Sequence, residues 1–158
     1  MKRIIIIALV FLILLSTFSF SSIAQQERDI RIVSYDDGSY SVYSFEESIS
    51  LLESLLGSLR SSTTKTATVK HYDSDSTLVW KAAITADFSY NGSTASCTRV
   101  SKSTTVYNSS WKCTSSSCST SGATATGNFT FKKYTLGIPT QTINETISMT
   151  CDKNGNIT

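Results

Sequence analysis

Three groups of residues in this 158-residue chain have types and spacings suited to chemistry. The first centres on His71, the sole histidine, in the stretch Lys70-His-Tyr-Asp-Ser-Asp-Ser76. At strand spacing His71 and Asp73 share a face, and with one of the many serines they would make the histidine, carboxylate and nucleophile of a hydrolase. Such an enzyme also needs its serine on a strained turn beside an oxyanion site, and no such elbow motif occurs. An exposed histidine at a strand end is the simpler reading. The second group is the carboxylate pairs Asp36 with Asp37, Glu46 with Glu47, and Asp73 with Asp75. Paired carboxylates bind calcium or serve a glycosidase, yet each pair falls at a predicted turn or helix start, where acidic residues are ordinary. No catalytic residue and no metal ligand is assigned, and no cofactor is implied.

The third group is the four cysteines. Cys113 and Cys118 stand five positions apart in Trp111-Lys-Cys-Thr-Ser-Ser-Ser-Cys118, as a metal clamp, a redox pair or a staple would. Zinc wants tighter cysteine pairs or histidine support, and thioredoxin-like chemistry wants a two-residue spacer. A staple fits best. Four cysteines allow three pairings. Strand alternation puts Cys97 and Cys151 on buried faces, and the four polar residues between Cys113 and Cys118 suit a loop. The favoured pairs are Cys97 with Cys151 and Cys113 with Cys118. Two aromatics bear on binding. Trp80 lies mid-strand on an apolar face and reads as core. Trp111, close to Tyr107 and beside the expected cysteine loop, reads either as packing against that disulfide or as a sugar-stacking platform. Tyr107 and Trp111 are therefore the candidate binding residues.

These side chains need strands to hold them. From Leu78 to Tyr90 every even position is apolar or aromatic, the period of a half-buried strand. Asn91-Gly92 then predicts a two-residue hairpin turn, with Phe88 facing Ala95 and Ala86 facing Cys97. Ala123, Ala125, Gly127, Phe129 and Phe131 share one face of a later strand. Gly137 and Pro139 interrupt it, and Ile143, Ile147, Met149 and Cys151 line the next, with Glu145 interrupting that face near an expected exposed end. Ile30–Tyr35 and Tyr40–Tyr43 flank Asp37-Gly38 as a small hairpin. Ser44 with Glu47 makes a capping box, and Phe45, Ile49, Leu52, Leu56 and Leu59 predict an amphipathic helix over 45–59 that covers the sheet or binds a partner. Ser61–Thr66 reads as a joint. The fold class is mainly β: an antiparallel β-sandwich, immunoglobulin-like or barrel-like, with an N-terminal hairpin and one short helix.

The compartment follows from the N-terminus. Lys2 and Arg3 precede an unbroken apolar run from Ile4 to Leu15, and Ser22-Ile-Ala24 carries small residues where a signal peptidase reads. The expected organisation is a signal peptide over 1–24, the hairpin and helix over 25–62, and a disulfide-stapled domain over 63–158. The formal net charge of +2 is supplied by Lys2 and Arg3, so the mature chain is neutral. It has no electrostatic footprint for nucleic acid or for an anionic membrane. Sequons occur at Asn91, Asn108, Asn128, Asn144 and Asn156, a number that abundant Ser and Thr supply by chance.

Several stretches together resemble a group of small uncharacterised secreted proteins of gut-dwelling Gram-positive bacteria: "DDGSY" at 36–40, Leu78-Val-Trp80, "FSYNGSTASCT" at 88–98, "YNSSW" at 107–111, "SGATATG" at 121–127, and "LGIPTQT" with "ISMTCDKNGN" at the end. The likeness covers most of 34–158, apart from the leucine-rich insert and Cys118. It implies an exported bacterial protein whose sequons are unused, and it carries over no activity, ligand or site residue. The expectation is a monomeric, non-enzymatic extracellular module that binds a protein or glycan. The alternative is a secreted hydrolase acting through His71 and the carboxylates near it.

Overall fold

A computed structural model describes residues 30–47 and 62–158. The signal segment and most of the expected helix, from Ile49 to Leu59, lie outside the described residues. Eight strands make up the rest: β1 (Ile30–Ser34), β2 (Tyr40–Glu47), β3 (Ser62–Tyr72), β4 (Leu78–Tyr90), β5 (Ala95–Val106), β6 (Trp111–Ser121), β7 (Thr124–Thr135) and β8 (Ile138–Thr150). They form two antiparallel sheets, β1-β2-β3-β4-β5 and β6-β7-β8. The protein is mainly β, as its alternating apolar positions require.

The inner face of β4 is the even-numbered set read from the sequence, with Trp80, Ala82, Ile84, Ala86 and Phe88 all buried. They join Ala125, Phe129 and Phe131 of β7 and Ile143, Ile147 and Met149 of β8 in one core cluster. Gly127 permits a close approach between the sheets. A Cβ built there would run into Ile84 Cγ2.

Four expectations are corrected. Phe45 does not begin a helix. Ser44 to Glu47 pair with Thr68 to Lys65 as the end of β2, because Phe45 gains a place against the core there, and tertiary packing overrides a capping signal of about 1 kcal/mol. No described residue is helical. The joint expected at Ser61–Thr66 is, from Ser62 onward, the start of β3, so the N-terminal hairpin continues the larger sheet. The Asn91-Gly92 turn is a four-residue loop. Asn91 Oδ1 accepts from the N–H groups of Ser93 (3.0 Å) and Thr94 (2.8 Å), and Phe88 faces Cys97. That moves the register by two residues, which preserves inward and outward faces, so Cys97 still points in. Finally, the residues between Cys113 and Cys118, expected as a loop, lie within strand β6.

The connections β1–β2, β3–β4, β5–β6 and β7–β8 gather at one end of the molecule. On one side, β5 runs beside β6: Cys97 N–H donates to the Gly122 carbonyl at 2.8 Å, and Lys102 Nζ reaches the carbonyl and hydroxyl of Ser116. On the other side, no strand pairing joins β8 to β1 or β2. Side chains span that gap.

Candidate functional site

The chemistry-bearing residues meet in the unpaired gap. His71, near the end of β3, is 1% exposed and lies in a stack, 4.8 Å from the Trp80 ring, which is itself 3.9 Å from Phe131. Trp111 closes a further side at 5.5 Å. Among the described residues, the side chain that hydrogen-bonds it is Ser41 of β2, whose Oγ lies 3.1 Å from His71 Nδ1. The Ser41 hydroxyl also donates to Glu145 Oε1 at 2.9 Å. A hydroxyl has one hydrogen, so the serine oxygen accepts from His71, and the imidazole carries its proton on Nδ1.

Glu145 is the hub. It sits on β8, facing inward and 3% exposed, and accepts hydrogen bonds from Tyr35 (3.0 Å), Ser41 and Tyr43. A carboxylate out of water must be satisfied by such donors. The exposed end expected for Glu145 is therefore overturned: the residue interrupts the apolar face because a hydroxyl cage across the gap receives it. An inward-pointing charge is also one way in which edge strands such as β8 are kept from pairing with other chains. Beside it, Gln141 Nε2 donates to Asp37 Oδ2 at 3.0 Å, a second bridge between the sheets.

Electrostatics agree with a structural role. Burial depresses His71 to about 4, against the opposing pull of Asp37 and Asp73, so the ring is neutral at pH 7. Burial raises Tyr35 and Tyr43, and their hydrogen bonds to Glu145 push them further up. Both therefore remain donors. Serine, histidine and carboxylate are present together, but in the wrong order for a triad. The serine stands between the other two, spends its hydrogen on the carboxylate, and is fully buried. The exposed His71 expected from the sequence is corrected accordingly. Asp73 is not its hydrogen-bond partner. Its Oδ1 accepts from Asp75 N–H and Thr77 N–H and shapes the β3–β4 turn. Asp37 Oδ1 does the same for Ser39 at the β1–β2 turn, which holds its carboxyl below the usual range. No group of three metal-ligating side chains occurs among the described residues.

The two candidate binding aromatics part company. Trp111 is 5% exposed and belongs to the core, so the platform reading fails. Tyr107 is 56% exposed on the β5–β6 loop. That loop is ordered by its backbone rather than by a disulfide: Tyr107 and Asn108 N–H donate to the Val79 carbonyl, and Trp111 N–H donates to the Asn108 carbonyl.

No two of the four cysteine sulfurs are bonded to each other. Cys113 and Cys118 lie in one extended strand, about 16 Å apart at strand rise, whereas a disulfide spans Cα separations below roughly 7 Å. Their pairing is withdrawn. Cys97 and Cys151 converge instead: Cys97 N–H donates to the Gly122 carbonyl and Cys151 N–H to the adjacent Ala123 carbonyl, at 2.8 and 3.0 Å. Comparison with known proteins finds no matching family model, curated protein or solved structure.

Proposed function

We propose that this is an exported bacterial β-sandwich that works as a non-enzymatic extracellular binding module, for a protein or a glycan, with Tyr107 in its contact surface. The observation that carries the reading is the burial of His71. A hydrolase needs its base within reach of substrate, and here the sole histidine is sealed between aromatic rings and committed to a buried serine. The hydroxyl–carboxylate cage has the character of a latch between the sheets. Tyr107, by contrast, stands on a loop fixed by backbone hydrogen bonds, and exposed tyrosine on a rigid loop is the side-chain type that dominates binding hot spots.

The test is a screen of the secreted, N-terminally sequenced protein against mucin, cell-wall and host-protein arrays. Cleavage after Ala24 is expected. A specific binder should lose at least tenfold in affinity with Tyr107→Ala while the melting temperature stays unchanged. Turnover of an ester or glycoside that disappears in a folded His71→Ala variant would overturn the reading.

A further inference from the structure

The β7–β8 turn breaks two rules at once. Leu136 has φ 52° and Gly137 φ 80°, the left-handed pair of a two-residue hairpin turn, where asparagine, aspartate or glycine normally supplies the first position. Leucine meets a steric cost there that those residues largely escape. Its side chain is also 97% exposed, with Ile138 exposed beside it. Among the described residues of one molecule nothing covers either side chain.

A complementary feature lies elsewhere on the same gap. Between β1, β2 and β3 on one side and β8 on the other is a cavity of about 280 Å³ whose apolar walls include Phe45, Ala67 and Ile147, with Arg31 among its lining residues. The Arg31 guanidinium sits 5.3 Å from the Tyr43 ring centroid, is exposed, and has no carboxylate partner among the described residues. Next to the leucine turn the charges are reversed. Asp36 and Asp37 line an open cleft with Thr140 and Gln141, and Lys133 offsets one of the two charges. One surface is thus an apolar knob beside carboxylates, and the other is an apolar hole beside a cation. Ile138 and Ile147 are nine residues apart on β8, roughly 30 Å of strand, so no molecule can seat its own knob in its own hole.

We propose that the occupant of the cavity is Leu136 of a second copy of this chain, with Asp36 of that copy meeting Arg31. Knob and hole are different surfaces, so the contact is heterologous. Each added copy leaves one of each unfilled, and assembly grows head to tail instead of closing as a two-fold dimer. The monomer expected from the sequence is then the dilute form.

Sedimentation of the full mature chain over a wide concentration range tests this. The weight-average mass of the wild type should rise with concentration past that of a dimer. Leu136→Asn keeps the hole and loses the knob, and Arg31→Glu keeps the knob and loses the hole. Each alone should remain monomeric, and an equimolar mixture should form a dimer through the one intact joint. Leu136→Asn should also melt no lower than wild type when both are measured as monomers, because asparagine suits the turn, which separates loss of assembly from loss of fold. A wild type that stays monomeric throughout, a dimer that both variants still form, or a mixture no heavier than its parts would overturn the proposal.

Discussion

His71 shows how a side chain that invites a catalytic reading becomes a determinant of acid stability. The folded protein holds its imidazole neutral down to about 4, whereas in the unfolded chain it takes up a proton near the ordinary value of about 6.5. Above that value both states are neutral and the residue adds no pH dependence. Between it and about 4 the unfolded state binds the extra proton, so stability falls as pH falls, by on the order of 3 kcal/mol in all. Urea midpoints for wild type and His71→Gln should therefore diverge in slope across that window and run parallel above it. Equal slopes throughout would mean that the ring is solvated. The His71–Asp73 spacing drew attention to the right residue for the wrong reason. Its real network draws on Ser41, Tyr35 and Glu145, and the donors to Glu145 are 102 to 110 positions away in the chain. No local pattern encodes that, and a lone carboxylate on an apolar face reads as an error in the pattern until its cage is seen.

Strands were legible where they are half-buried and regular. β4 and β7 follow their alternation through the core, and Gly127 is read correctly as inward-facing. Its lack of a side chain matters because Ile84 Cγ2 occupies the space that a Cβ would need. Gly127→Ala should cost about 1–3 kcal/mol by overpacking, seen as a lower urea midpoint with an unchanged slope. A neutral result would show that the sheets can separate at this point. β6 was missed because its face is carried by Trp111 and Cys113, then by Ser116 and Cys118, with a bulge between Cys113 and Ser115 that resets the parity. Strict period-two counting fails across such a step, and the intervening serines resemble a loop. The start of the expected helix failed for a different reason. Ser44 and Glu47 fit a capping box, but the pairing of β2 with β3 extends through them.

At the scale of the molecule, two unlike closures hold the sheets together: the Glu145 cage on the β1–β2 side, and the approach of β5 to β6 on the other. Cys97 and Cys151 flank the β6–β7 turn at the second closure. Burial raises both thiols, and the nearby Cys97 adds to the shift at Cys151, so neither is poised for redox catalysis. In an oxidising compartment two inward cysteines brought to adjacent carbonyls should join. A bond between them would close a loop of roughly 50 residues and stabilise the protein by about 4 kcal/mol on the chain-entropy estimate. It would tie the end of β8 to β5 across the sheets. Reductant should therefore lower the unfolding midpoint of the oxidised protein clearly. Cys151→Ser should show the lower midpoint without reductant and respond to it no further. Cys113→Ser should leave both the midpoint and its response to reductant nearly as in wild type, since Cys113 and Cys118 are held apart along one strand. Peptide mapping that links Cys97 to Cys118, or a midpoint indifferent to reductant, would show that the β5–β6 side is closed without a bond from Cys97 to Cys151.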